Sequence, residues 1–220
     1  MIKAVIFDFD GLMFDTESLW FDAYYSVAKE QFGIEIKIED FALAVGISEV
    51  PYLELIEKQV GHPIDRPSFL EKATQFFKDK VTNIQPREGV IDYLETAKAN
   101  NLKIGLATSS TLDWVEKFLK QFNLYNYFSV IKTFDIVGTK KPNPKVYLEA
   151  LKGLDVEANE AIAFEDSLNG YKAATGAGIT TVVVPNRLTS YIDFPQNTMK
   201  IPSMASAKLE NVINKALNNK

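Results

Sequence analysis

The sequence predicts an α/β fold: a doubly wound, Rossmann-like parallel sheet with an inserted α-helical cap domain. Three observations predict it. Short runs of β-branched, aliphatic and aromatic residues recur along the chain, as strands buried on both faces of a parallel sheet require. Over 85–185 these runs alternate with helical patterns, the signature of βαβ units. From 16 to 84 the pattern is helical only, so it reads as an insertion after the first strand. Residues 1–15 and 85–220 are therefore expected to form the α/β domain, and 16–84 the cap domain.

The first strand is the apolar run 2–7 (IKAVIF), which meets a carboxylate at Asp8. Helical patterns follow at 16–32, 38–45, 48–60 and 66–82, separated by Gly33, Gly46 and the Gly61-His62-Pro63 turn. A lid of helices at this point would serve to exclude water from a reaction at the sheet's carboxyl edge. The alternating segment supplies strands at 102–107, 128–131, 161–164 and 181–184, with helices at 88–100, 111–122, 143–153 and 167–177. Gly138 and Pro142 punctuate the chain before the third of these helices. The terminal pattern, 206–219, places Leu209, Val212, Ile213, Ala216 and Leu217 on one face and is expected to pack on the core.

Composition limits the chemistry. The chain has 220 residues, 46% hydrophobic and 24% charged, enough for a sizeable core. It has no cysteine and one histidine. Disulfide scaffolds, thiol nucleophiles, Cys-ligated zinc, iron–sulfur clusters and any site needing two imidazoles are thereby excluded. Catalysis must run on carboxylates, hydroxyls, lysines and backbone. With 24 Lys and Arg against 29 Asp and Glu, the net charge is −5, and no window forms a sustained basic cluster. Neither nucleic acid nor a membrane is an expected partner, and no obligate protein partner is implied. The apolar run before Asp8 is too short for a signal peptide or a membrane span, so a cytoplasmic location is expected.

Chemistry-bearing residues gather where strands end, which is where ligands bind in open α/β sheets. Asp8 and Asp10, two apart on an extended backbone, face one side with a rise of roughly 6–7 Å between them, and Gly11 follows where the chain must turn. Two carboxylates in one small volume require a cation or a retained proton, and hard oxygen ligands suit Mg2+; the same pair could also simply cap turns. Strand 102–107 runs into Thr108-Ser109-Ser110, where a hydroxyl and free amides make an anion site, or a helix cap with Ser110 and Asp113 in capping-box style. Thr139-Lys140-Lys141-Pro142-Asn143-Pro144 is a rigid turn that would aim an ammonium, Lys140 being the more ordinary surface lysine. Strand 161–164 ends in Glu165-Asp166-Ser167, a second acidic pair that would also suit a helix N-terminus.

Together these motifs resemble the haloacid dehalogenase-like (HAD) superfamily across nearly the whole chain. Asp8-Phe9-Asp10-Gly11-Leu12-Met13-Phe14-Asp15-Thr16-Glu17 is similar to the family's D-x-D-G-[hydrophobic]₃-D-[ST]-E motif. Leu106-Ala107-Thr108-Ser109-Ser110 matches its hydroxyl motif, Lys141-Pro142-Asn143-Pro144 its K-P-x-P, and Glu165-Asp166-Ser167-Leu168-Asn169-Gly170 its E-D-S-x-x-G. The inserted helices resemble the cap of the subgroup containing β-phosphoglucomutase and many small phosphatases.

The resemblance implies that Asp8 attacks phosphorus and becomes an aspartyl phosphate, while Asp10 protonates the leaving alkoxide and later activates water. It implies Mg2+ held by the Asp8 carboxylate, the Asp10 backbone carbonyl and Asp166, with Glu165 a further ligand or a partner to its waters. Thr108, the Ser109 amide and Lys141 would hold the phosphate of a small phosphorylated metabolite, and Lys141 would also offset the carboxylates. An aspartate at position 10 separates the chain from the dehalogenase branch.

Two departures favour a phosphatase over a β-phosphoglucomutase-type phosphomutase. Trp20 stands where mutases carry a cap histidine, and Glu49 follows Gly46-Ile47-Ser48 where they carry a phosphate-binding arginine. Lys72 could supply a cap cation or be a surface lysine, and His62 reads as a cap-loop residue. Trp20, Phe21, Tyr24 and Tyr25 are expected to pack the cap, with Trp20 and Glu49 also placed to face substrate. Gly170, Ala173, Ala174, Ala177 and Gly178 read as close helix–sheet packing with no functional role. A receiver-like phospho-acceptor signalling protein is a more remote alternative, since receivers lack an inserted cap.

Overall fold

The computed structural model describes residues 1–42 and 49–218. The chain divides into two compact units: Met1–Phe14, Pro86–Pro185 and Asp193–Lys220 in one, Asp15–Gln85 and Asn186–Ile192 in the other.

In the α/β unit, β1 (Ala4–Phe7) is followed, after the helical insertion, by α5 (Val90–Ala99), β2 (Lys103–Ala107) and α6 (Leu112–Gln121). The insertion itself comprises α1 (Thr16–Phe32), α2 (Ile38–Ala42), α3 (Val50–Val60) and α4 (Arg66–Val81). The chain continues through β3 (Val130–Lys132), α7 (Phe134–Val137), α8 (Lys145–Leu154), β4 (Ala161–Glu165), α9 (Leu168–Gly176) and β5 (Thr180–Val183). It ends with β6 (Met199–Lys200) and α10 (Leu209–Asn218).

All paired strands are parallel, in the order β3-β2-β1-β4-β5-β6. This is the doubly wound order, and it reverses beside β1, where the chain crosses from one half of the sheet to the other. β1 lies between β2 and β4, every one of its residues is fully buried, and it reads as a continuous apolar run for that reason. On one side of the sheet Ala4, Ile6 and Ala163 pack with Val146, Tyr147 and Ala150 of α8. On β1 and β4, Phe7 and Phe164 are register partners whose rings stack at 5.2 Å. Burying side chains of this size stabilises the fold by about 1.5–3 kcal/mol each.

The predicted elements appear among the described residues, with their described ends within three residues of expectation; the expected end of the second cap helix, at 45, lies outside the described residues. Among the described residues, one short strand and one short α-helix were not predicted. β6 has only two residues and joins the sheet beside β5, and the four-residue α7 is too short to show a helical period. The predicted capping box at Ser110 and Asp113 does not form: Thr111 is the N-cap of α6 without a side-chain cap bond, and the Leu112 N–H donates instead to Asp135 Oδ1 at 3.1 Å.

The helical unit is built on α1–α4. Asp15 caps α1 by accepting from the Ser18 N–H at 3.1 Å, and Gly33 closes it in the left-handed conformation. Tyr24 is edge-on to Phe41, Tyr52 and Phe69, and Phe41 stacks on Tyr52 at 3.8 Å. Arg66 at the start of α4 makes a two-pronged pair with Glu57 of α3, at 2.9 and 2.6 Å. The segment 186–192, which the sequence placed with the α/β domain, belongs to this unit: Arg187 pairs with Asp22 at 2.5 Å and donates to the Ser18 carbonyl at 3.1 Å. No described helix is long and apolar enough to cross a membrane.

Candidate active site

The site starts from strand register. Because Phe7 pairs with Phe164, the next residues, Asp8 and Glu165, leave the sheet side by side; the Asp8 N–H donates to the Phe164 carbonyl at 3.1 Å. This is the reversal point of the sheet order, where the two halves of a doubly wound sheet open a crevice. Asp8, Glu165 and Asp166 are all buried, and each offers an oxygen within 4.8 Å of the others'.

Lys141 enters from the turn before α8. Its ammonium lies 2.5 Å from Asp8 Oδ1 and 2.6 Å from Glu165 Oε1. The Ser109 hydroxyl accepts from the Lys141 N–H at 3.1 Å and so ties this turn to the one after β2. Tyr147, on the buried face of α8, donates to the same Glu165 oxygen at 2.5 Å. The other oxygen, Glu165 Oε2, is buried without a hydrogen-bond partner.

Three buried carboxylates stand close together, and the ammonium of Lys141 pairs with two of them, Asp8 and Glu165. Burial first, and then the charge of Glu165, push Asp8 up to about 7 in spite of Lys141. Burial alone would lower Lys141, but Asp8 and Glu165 outweigh it and its pKa is raised, so it stays an ammonium. Burial and Glu165 push the Tyr147 phenol well up, which keeps it a donor. A hard divalent cation fits this place: the donors are all carboxylate oxygens, the cluster carries excess negative charge, and one buried oxygen waits for a partner.

Asp10 is held from the side of α6. The like charge that raises Asp8 is that of Glu165. Phe9, between the two aspartates, turns into an aromatic cluster with Phe14 and Phe118, at 5.2 and 5.9 Å. Asp10 Oδ1 accepts from the Trp114 indole N–H at 3.0 Å, and Oδ2 accepts from the Ser110 hydroxyl. Gly11 makes the turn at φ 81°, a conformation open to glycine at little cost. Thr108 is buried; its oxygen accepts from the Ser110 N–H at 3.1 Å, which leaves its own proton free to donate.

The structure thus brings Asp8, Lys141, Glu165 and Asp166 together, sets Thr108 and Ser109 on the neighbouring strand end, and turns Asp10 toward α6. Three residues escaped the sequence reading. Tyr147 carried a weak signal, since a tyrosine on an apolar helix face needs a partner for its hydroxyl. Trp114, one turn beyond Ser110, carried none. Nor did Arg87, whose guanidinium donates to the carbonyls of Gly11 at 2.6 Å, Val184 at 3.2 Å and Pro185 at 2.7 Å. Gly170, read as packing alone, has a further part: a Cβ there would collide with the Glu165 carboxylate. Of the cap candidates, Trp20 stacks on Phe77 at 4.1 Å, while Lys72, His62 and Glu49 are exposed. Gly46-Ile47-Ser48 lies outside the described residues.

Comparison with known proteins identifies the family. The family model for haloacid dehalogenase-like hydrolases matches residues 5–184. The chain is 39% identical over 211 residues to YhcW of Bacillus subtilis, covering 95% of each. It is 32% identical over 182 residues to the phosphorylated carbohydrates phosphatase of Thermotoga maritima, covering 82% of this chain and 84% of that one. Among solved structures it is similar to CbbY from Rhodobacter sphaeroides in complex with phosphate, with TM-score 0.69, 30% identity, and 93% and 96% of the two chains covered. A variant of CbbY has also been solved with xylulose-(1,5)-bisphosphate, with TM-score 0.70, 30% identity and the same coverage. From the motifs, the parallel sheet, the buried acidic cluster and these matches, the chain belongs to the haloacid dehalogenase-like hydrolase family, as a phosphatase-type enzyme with a helical cap, related to β-phosphoglucomutase, CbbY and sugar phosphatases.

Proposed function

We propose that the protein is a Mg2+-dependent phosphatase that hydrolyses a small phosphomonoester, a sugar phosphate or related metabolite, through an aspartyl phosphate on Asp8. The observation that carries the reading is the buried group of Asp8, Glu165 and Asp166 around Lys141, with Glu165 Oε2 unpartnered. The sugar-phosphate part rests on the Thermotoga relative, which acts on phosphorylated carbohydrates, and on CbbY, which holds a sugar bisphosphate.

Asp8 is the nucleophile. Its carboxylate oxygen forms a bond to phosphorus as the ester P–O bond breaks, and the departing alkoxide takes a proton from Asp10. Asp10, now ionised, then removes a proton from water as the water oxygen attacks phosphorus. The acyl phosphate bond breaks, inorganic phosphate leaves and Asp8 is restored. Lys141 holds phosphate oxygens and keeps positive charge beside the nucleophile. Thr108 donates its free hydroxyl proton to a phosphate oxygen, and the Ser109 amide does the same from the turn after β2. Mg2+ would be held by Asp8, the Asp10 carbonyl and Asp166, with Glu165 beside it, and when bound would neutralise charge on nucleophile and phosphate. A cysteine-free, acidic chain of this kind suits the cytoplasm.

The test is a panel of phosphomonoesters with the Mg2+-loaded protein, including p-nitrophenyl phosphate and β-glucose 1-phosphate, with both phosphate and glucose 6-phosphate measured. Phosphate release that EDTA abolishes is expected. Release from no substrate would overturn the reading, and isomer formed without phosphate release would assign a phosphomutase.

A further inference from the structure

The first turn of α6 is turned toward Asp10. Ser110 and Trp114 come from its two sides, and each donates to a different carboxylate oxygen: the indole N–H to Oδ1 at 3.0 Å, the serine hydroxyl to Oδ2. Aromatic packing fixes the distance between the partners. Trp114 sits edge-on to Phe118 at 4.7 Å, and Phe118 packs against Phe9 and Phe14, which flank Asp10 in sequence, at 5.9 and 5.3 Å. Asp135 holds the helix start by accepting from the Leu112 N–H, and the Ser110 N–H is held by Thr108.

The two donors are chemically unlike. An indole N–H can only donate, whereas a hydroxyl can donate or accept. Oδ1 therefore faces a donor throughout the reaction, and a proton cannot sit on it without opposing that donor. Oδ2 faces a group that can turn aside: Ser110 donates to the ionised carboxylate, and when Oδ2 carries the proton the serine hydroxyl rotates away and leaves the Oδ2–H free to point at substrate.

We propose that Trp114 is a positioning residue for the general acid–base Asp10, and that with Ser110 it assigns the transferable proton to Oδ2. This rests on the reading of Asp10 as acid and base. In the forward step the Oδ2–H proton passes to the leaving alkoxide as its bond to phosphorus breaks; in the second step Oδ2 takes it back from the attacking water. Loss of the indole N–H removes the donor that keeps the proton off Oδ1, and the proton is then shared between two oxygens of which one is aimed.

The test uses leaving groups. An alkyl phosphate needs its oxygen protonated on departure, whereas p-nitrophenolate leaves without a proton, and kcat/KM reports the steps through that departure. Trp114→Phe keeps the ring on Phe118 and removes the N–H. The expected result is a fall on the order of tenfold in the ratio of kcat/KM for a hexitol or glycerol phosphate to that for p-nitrophenyl phosphate, a fraction of the ~10²–10⁴ that a positioned acid contributes. Ser110→Ala, measured beside it, is expected to lower the same ratio. A purely structural role would lower both substrates together, so an unchanged ratio in folded Trp114→Phe overturns the proposal. Asp10→Asn separates the two levels: if it leaves the ratio unchanged, the acid role of Asp10 falls; if it lowers the ratio and Trp114→Phe does not, only the positioning role falls.

Discussion

A Cβ placed on Gly170 would lie 1.8 Å from Glu165 Oε2. The first turn of α9 thus comes so close to the end of β4 that only a hydrogen can stand between them, and the Glu165 carboxylate occupies the space a side chain would take. Gly170→Ala is expected to displace that carboxylate, cost about 1–3 kcal/mol in stability, and raise the Mg2+ concentration needed for half-maximal activity. Urea melts and a Mg2+ titration of phosphate release check it; a variant with wild-type Mg2+ dependence would show that Glu165 lies apart from the metal.

Lys141 is the ammonium facing both Asp8 and Glu165. Removing it leaves two buried carboxylates facing each other. Lys141→Met is expected to abolish phosphate release and, in the metal-free protein, to cost on the order of 3–5 kcal/mol. Denaturant melts with and without Mg2+ read this directly, since a bound cation should recover part of the loss.

Asp8→Asn keeps the shape of the side chain and removes the nucleophile. Phosphate release is expected to fall by at least ~10³-fold with the fold intact, and no acid-stable, hydroxylamine-sensitive phosphoryl adduct should form. Retained turnover would place the nucleophile elsewhere.

Arg87 joins the turn after β1 to the chain leaving β5 through carbonyls of Gly11, Val184 and Pro185. Arg87→Met leaves these acceptors short of a charged donor, so a loss of about 2–3 kcal/mol is expected. Calorimetry of the variant checks this, and Arg87→Lys should recover little because an ammonium cannot fork between the two sides.

In the helical unit, hydrogen bonding to Arg66 lowers Glu57 to about 2 from its ordinary 4.5. A carboxylate depressed in the folded state contributes stability that is fully present above its unfolded value and lost as pH falls through the folded one. The stability difference between wild type and Glu57→Gln should therefore be constant above pH 4.5 and shrink as pH falls toward about 2. Urea midpoints across that range measure it.

The sequence by itself determined the strands β1 to β5, most of the helices and the candidate chemistry. Parallel strands buried on both faces must be short apolar runs, and the acids, hydroxyls and lysine that follow four of them are legible as strand-end residues before any coordinates. The absence of cysteine and the single histidine left carboxylates as the available acid–base and ligand groups. Only the tertiary structure decided which strand ends become neighbours. The pairing of Phe7 with Phe164 sets Asp8 beside Glu165, although 157 positions separate them, a neighbour that spacing within one strand does not give. It also decided the partners that have no local signature: Tyr147 on Glu165, Trp114 on Asp10, and Arg87 between two chain segments. Periodicity reports which face of an element is buried, because burial acts on every residue of that face. A hydrogen bond between distant segments involves one side chain at each end, and nothing in its own neighbourhood along the chain encodes where the other will be.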